Sequence, residues 1–295
     1  MFVVTLIAAP GGLSTELANT LRNAWGGGEV TWLSGGEAAE FPVAERPSNQ
    51  WKIWEELQRL KIDLCVQPAE NRKKKLLLAD MDSTMINQEC IDELAAHAGV
   101  GDEVSAVTAR AMNGELDFEE ALNARLGLMA GLDASVIDHV LADRITLAAG
   151  GPALLATMKS AGSYCALVSG GFTAFTRKVA GVLGFDEHRA NVLGIVDGKL
   201  TGDVEGPIMG KEAKVEALIE LVSKHRISVA DVMAVGDGAN DLGMLNKAGA
   251  GVALHAKPAV AAQCDLRINH GDLTALLYLQ GYRNADFVTP AVASL

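Results

Sequence analysis

Aromatic side chains are scarce, at 5% of 295 residues, and basic ones are outnumbered: 25 Lys and Arg face 37 Asp and Glu, a formal net charge of −12. Nucleic acids and anionic membrane surfaces are gripped through clustered Lys and Arg, so this balance argues against both as partners and leaves small, locally held phosphates. The one basic run, Arg72–Lys75, reads as a solvated entry into a buried strand. The four cysteines, Cys65, Cys90, Cys165 and Cys264, lie far apart with no C-x-x-C spacing. Neither a zinc site nor a disulfide framework is indicated, and a reducing cytoplasm fits. The six histidines lack the i, i+4 pairing of a metal site. No apolar run is long enough to cross a bilayer, and Met1–Pro10 lacks the basic flank of a signal peptide, so it reads as strand and turn.

What is present is an apolar, Ala- and Gly-rich chain, 49% hydrophobic, which suits helices packed on parallel strands: an α/β fold. The length points to two units. Residues 1–70 read strand, helix, strand, strand, helix, strand, the order βαββαβ, followed by a polar linker from Pro68 to Lys75. In residues 71–295, Leu76–Ala79 is a fully apolar run, as expected of a parallel strand covered on both faces. From about residue 86 to 148 the spacing is helical throughout, an inserted helical bundle. Strand and helix then alternate: helix 152–160, strand 164–168, helix 172–183, a β-rich turn around 194–202, helix 211–224, strand 231–235, and weaker strands at 250–254 and 266–268 before a closing helix at 273–279. An open, mostly parallel sheet of Rossmann type is expected.

Three polar phrases follow apolar strands, where open α/β sheets collect their chemistry. Asp80-Met81-Asp82-Ser83-Thr84 brings two carboxylates to one strand end. A metal can neutralise one while the other, with a raised pKa, exchanges a proton, and a carboxylate can attack phosphorus. The plainer alternative is that these acids cap a helix beginning near Asn87. Ser169-Gly170-Gly171 leads from a strand into a helix and offers a hydroxyl and backbone N–H groups to phosphate oxygens, although it also reads as an ordinary turn. Gly236-Asp237-Gly238-Ala239-Asn240-Asp241 supplies hard oxygen ligands suited to Mg²⁺ and lacks the spacing of a calcium loop. A cation to offset phosphoryl charge would come from Lys211 or Lys214, between which spacing does not choose.

In this order, and at strand ends, these motifs resemble the haloacid-dehalogenase superfamily of phosphohydrolases, over residues 76 to about 280. DMDSTMINQE at 80–89, the stretch from Ala111 through Phe118, Arg125, VSGGF at 168–172, DGKLTGDVEG at 197–206 and VGDGAND at 235–241 resemble, more narrowly, its phosphoserine phosphatases. The resemblance implies Asp80 as nucleophile and Asp82 as general acid and base. It implies Mg²⁺ on Asp80, the Asp82 backbone carbonyl and Asp237, with Asp241 supporting, and phosphate held by Ser169, Gly170, Lys214 and Asn240. Glu89 would take a substrate ammonium and Arg125 its carboxylate, with Met112, Phe118 and Gly171 completing the substrate site beneath a closing cap. Serine biosynthesis is the expected setting. Outside that resemblance, Glu89 reads as a first-turn helix acid, Arg125 as a surface residue, and Met112 and Phe118 as core of the insert. The βαββαβ segment resembles, in topology, the ACT-like domains that precede some of these enzymes, which implies dimerisation or amino-acid sensing, against a plain docking role. Action on another small phosphomonoester and a silent amino-acid sensor are the competing readings.

Overall fold

Val3 to Ala8 are buried without a break, so the first strand requires cover on both faces, and the chain supplies it. A computed structural model describes residues 1–112, 115–291 and 295. β1 (Phe2–Ala8), α1 (Thr15–Ala24), β2 (Thr31–Ser34), β3 (Ala38–Val43), α2 (Gln50–Gln58) and β4 (Ile62–Pro68) follow the expected βαββαβ order. Their sheet is antiparallel, ordered β2-β3-β1-β4. The Ser14 side chain caps α1 by accepting from Leu17 N at 3.1 Å. One sheet face packs Val4, Leu6, Phe41 and Leu64 with Leu21 and Leu57 of the helices. The opposite face, with Ile7, Leu33, Ala38 and Cys65, shares an apolar cluster with Tyr278 and Leu279 near the other end of the chain.

The second sheet contains β5 (Leu76–Ala79), β6 (Tyr164–Phe172), β7 (Glu187–Val196), β8 (Lys199–Glu205), β9 (Val232–Gly236), β10 (Ala250–Leu254) and β11 (Leu266–Ile268), ordered β11-β10-β9-β5-β6-β7-β8. All neighbours are parallel except the β7–β8 hairpin. Leu76, Leu77 and Leu78 are fully buried because alternate residues face opposite layers. Leu77 clusters with α7 (Gly151–Ser160) and α8 (Thr173–Leu183), and Leu76 and Leu78 with α9 (Lys211–His225) and α10 (Leu242–Lys247). The short α11 (Pro258–Ala261) and α12 (Ala275–Leu279) complete the layers.

The insert forms α3 (Cys90–Ala98), α4 (Gly101–Met112), α5 (Phe118–Gly127) and α6 (Val136–Asp143), so its first helix starts three residues later than Asn87. Asp117 begins α5 with a reciprocal capping box to Glu120. Two linkers tie the insert to the sheet: Ile86 bridges Leu147, Asn87 N donates to Thr146 O, and Ala148 N donates to Met85 O at 2.9 Å. The expected turn at 194–202 is the tip of the long β7–β8 hairpin, which supports the insert through Gly131 N to Leu200 O and Ala134 N to Gly198 O, both 2.8 Å. Among the described residues no helix is long and apolar enough to cross a membrane.

Candidate active site

Register brings the three motifs together. Ala79 of β5 lies beside Leu167 of β6 and Val235 of β9, so Asp80, Ser169 and Asp237 leave the sheet at one carboxyl edge. Asp80 N donates to Val235 O at 3.0 Å, and the Asp80 carboxylate is buried against Lys214, with Nζ to Oδ1 at 2.7 Å. The first turn of α9 points Lys214 inward, where its Nζ also meets Asp241 Oδ1 at 2.6 Å. Lys211, one turn earlier, faces solvent beside Glu212. Burial alone would depress the Lys214 ammonium, but Asp80 and Asp241 override it and hold it above its ordinary value. Burial, and then the charge of Asp241, push the Asp80 carboxyl well up, against the pull of Lys214. Asp237 is pushed up to about 7 by burial and by Asp241 and Glu89.

Carboxylate oxygens of Asp80, Asp237 and Asp241 lie within 4.8 Å of one another. Three acids around one ammonium leave an excess of negative charge in a buried pocket, and this hard-oxygen donor set fits a small divalent cation. The Asp82 side chain is engaged elsewhere: Oδ1 accepts from Cys90 N at 2.9 Å and Oδ2 from Ser169 Oγ at 3.2 Å. Burial raises its pKa. Ser169 Oγ in turn accepts from Gly171 N at 2.8 Å, and a Cβ on Gly171 would stand 2.6 Å from Asp82 Oδ2, so only glycine fits beside the acid. Gly238 likewise leaves no room for a Cβ beside the half-buried Asn240.

The insert contributes the opposite wall. Glu89 Oε1 accepts from Ser83 Oγ at 2.6 Å, with Ser83 in the left-handed region at φ 53°. Desolvation and Asp82 raise its pKa. Arg125 is half-buried, which lowers its pKa against the opposing charges of Asp92 and Glu89; its Nε donates to Ala121 O at 3.1 Å. Among the described residues no carboxylate is within ion-pair distance of Arg125. The Phe118 ring reaches over the Ser169–Gly171 turn, 3.5 Å from where a Gly170 Cβ would be and 3.7 Å from that of Gly210. The Met112 side chain lies outside the described residues.

Residues 77–246 match the model of one protein family, the haloacid dehalogenase-like hydrolases. The chain belongs to this family. Haloacid dehalogenase-like hydrolases use a metal ion, for which the three-carboxylate cluster is suited. The phosphoserine phosphatase of Streptomyces coelicolor is 44% identical over 248 residues, 83% of this chain and 60% of that one. The probable phosphoserine phosphatase of Vibrio cholerae, solved unliganded, has a TM-score of 0.77 at 31% identity, covering 97% of this chain and 87% of its own. A phosphoserine phosphatase solved as an analogue of its phospho-aspartyl intermediate has a TM-score of 0.65 at 42% identity, covering 70% of this chain and 98% of that one. The chain spans 60% to 66% of the length of the first three curated relatives it matches.

Several residues at this hydrolase site had no sequence signal. Asn191, buried in β7, donates Nδ2 to Gly170 O at 2.8 Å and accepts from Met209 N at 2.7 Å, tying the Ser169–Gly171 turn to the loop before α9. A lone asparagine in mid-strand, 21 residues from Gly170, announces nothing. Thr84 Oγ1 lies 3.4 Å from Asp237 Oδ1. Asp92, in the first turn of α3, adds its charge to that of Glu89 near Arg125 without reaching ion-pair distance.

Proposed function

We propose that this hydrolase removes phosphate from phosphoserine, with Mg²⁺ as its metal, through an aspartyl-phosphate on Asp80. The observation that carries the reading is the buried Lys214, bridging Asp80 and Asp241 at the sheet edge where Ser169 and Asp237 also emerge, while Glu89 and Arg125 stand on the side of the insert. The Asp80 oxygen bonds to phosphorus as the bond to the serine oxygen breaks, and Asp82, its pKa raised by burial, protonates the departing alcohol. Asp82 then takes a proton from water, whose oxygen displaces Asp80 and releases inorganic phosphate. Lys214, the Ser169 hydroxyl, Gly170 and Asn240 hold the phosphoryl oxygens in place. Mg²⁺, held by Asp80, Asp237, Asp241 and the Asp82 carbonyl, would offset charge on those oxygens.

Substrate choice follows from two charges. A zwitterionic amino acid needs an anion for its ammonium and a planar cation for its carboxylate, which Glu89 and Arg125 supply. Phe118, with Met112 and the Gly171 turn, would shut the site from water while the insert closes as a cap. The same reading makes residues 1–70 a separate unit, with any homodimer using the open edge of β2, and puts the enzyme in the cytoplasm, where its four buried thiols stay reduced.

Phosphate release from a panel of small phosphomonoesters, with and without Mg²⁺, tests this. Phosphoserine should be preferred, Asp80→Asn should abolish turnover, and Arg125→Ala should cut kcat/KM for phosphoserine by about a hundredfold while sparing p-nitrophenyl phosphate. Equal losses on both substrates would remove the carboxylate assignment, and full activity of Asp80→Asn would remove the nucleophile.

A further inference from the structure

Asp63 is a fully buried carboxylate on β4, remote from the metal cluster, and it points out of its own sheet. Its Oδ1 accepts from Asn269 N at 2.8 Å, and its Oδ2 from His270 N at 3.1 Å and Gly271 N at 2.8 Å. Three consecutive N–H groups of the loop after β11 thus converge on one side chain from the amino-terminal sheet. Gln58, at the end of α2, adds a second hold: its Oε1 accepts from Asn269 Nδ2 at 2.8 Å and lies 3.0 Å from His270 Nε2. Burying an anion is costly unless donors surround it, so this arrangement has a specific purpose to be accounted for.

The gripped loop runs directly into the linkers of the helical insert. Leu273 N donates to Ala149 O at 3.1 Å, and Asp272 Oδ1 fixes the turn by accepting from Thr274 N at 2.8 Å. Gly150, at φ 77°, packs so closely here that a Cβ would stand 2.6 Å from Thr274 N and 2.7 Å from Asp272 Oδ1. One residue before Ala149, Ala148 N donates to Met85 O, and Asn87 N donates to Thr146 O, joining the two linkers to each other. Met85 N and Thr84 N both return to Met81 O, between Asp80 and Asp82. Hydrogen bonds joined by short stretches of backbone therefore lead from the amino-terminal sheet to the hinge of the insert and on to the catalytic pair.

We propose that Asp63 is a positioning residue: through the 269–274 turn it holds the hinge of the insert, so that the amino-terminal unit sets how readily the cap closes over the Asp80 site. Hinges are segments where few residues absorb a motion, and a partner that fixes one end shifts the balance between open and closed forms. The consequence for turnover rests on the reading of the insert as a substrate-closing cap, whereas the consequence for the hinge itself does not.

The test is Asp63→Asn in the full chain, followed by amide exchange and by steady-state kinetics. An asparagine presents an N–H where the loop also presents N–H groups, so the grip is broken without a change of size. Exchange at the Asn87, Ala148 and Leu273 amides should quicken at least fivefold. KM for phosphoserine, which depends on Glu89 and Arg125 being closed over it, should rise several-fold with kcat changed less than twofold, and p-nitrophenyl phosphate hydrolysis should be unaffected. Faster exchange confined to residues 269–271, with Asn87 and Ala148 unchanged, would overturn the proposal. If Asp63→Asn does not fold, Gln58→Ala loosens the same turn more gently, and unchanged hinge exchange in that variant overturns it equally. A quickened hinge with no phosphoserine turnover in the wild type would leave the hinge assignment standing and remove only the substrate.

Discussion

Glycine at position 171 is required by its neighbours more than by its own backbone. A methyl group there would stand 2.6 Å from Asp82 Oδ2 and 3.1 Å from Ser169 Oγ, so Gly171→Ala must push the Asp82 carboxyl away from its hydrogen bond with Ser169. The half-buried turn can absorb that shift with little loss of stability, but under the proposed mechanism an acid moved by about an ångström loses its alignment with the leaving oxygen. We expect turnover to fall about 100-fold with the melting temperature nearly unchanged, as measured by phosphate release and calorimetry; unchanged turnover would detach Asp82 from the proton transfer. At this scale the sequence was most legible where chemistry follows an apolar run, as with Asp80 after Leu76–Ala79. It was least legible where a side chain's direction decides. Lys211 and Lys214 share a helix turn, yet Lys211 is exposed and Lys214 is 2% exposed between two acids. Only the rotation of α9 against the sheet separates them.

Elements were read to within a few residues where hydrophobic periodicity governs, but the far side of the sheet was read poorly. β6 continues through Phe172 rather than ending at Val168, because its register with β7 shifts at the Ser-Gly-Gly turn and pairing then resumes at Asn191. Charge pairs, invisible to periodicity, hold β7 in place. Glu187 accepts from Tyr164 of β6 and Lys224 of α9, both at 3.0 Å, and pairs with Arg189, which also binds Glu220. Burial would raise the Glu187 carboxyl, but Lys224, Arg189 and Tyr164 outweigh it and hold it at about 2, below its ordinary 4.5. A carboxylate depressed by folding stabilises the native state above its unfolded pKa, and that contribution is lost as pH falls from 4.5 toward 2. Because the pairs are partly exposed, screening reduces the full value to about 1 kcal/mol. Glu187→Gln should therefore unfold at lower urea at pH 7 and converge on the wild type only as pH falls through about 2. A difference that persists in acid would assign the loss to packing.

At the scale of the whole molecule, the sequence disclosed two sheets and not their junction. The face of the amino-terminal sheet that carries Ile7, Leu33, Ala38 and Cys65 is continuous with the core around Tyr278 and Leu279, and such a junction has no periodic signature of its own. Polar ties reinforce it: Arg72 pairs with Glu40 at 2.5 Å and donates to Leu279 O, Gln67 donates to the same carbonyl at 2.8 Å, and Arg267 lies 3.9 Å from the Trp51 ring. Apolar surface shared in this way couples unfolding, since neither unit can open without exposing the other's half of the interface. The composition provides the measurement. All four tryptophans, Trp25, Trp32, Trp51 and Trp54, lie before the linker, and all three tyrosines, Tyr164, Tyr278 and Tyr282, lie after it. Tryptophan emission therefore reports the first unit and its junction with the second, where Arg267 stacks on Trp51, and the proposed phosphate release reports the second. In urea the two curves should coincide for the wild type and separate for Asp63→Asn, with tryptophan emission changing first as the less strongly held unit detaches. A wild-type emission change that precedes loss of activity would mean that the junction is weaker than its contacts imply, and that the amino-terminal unit moves as an independent body.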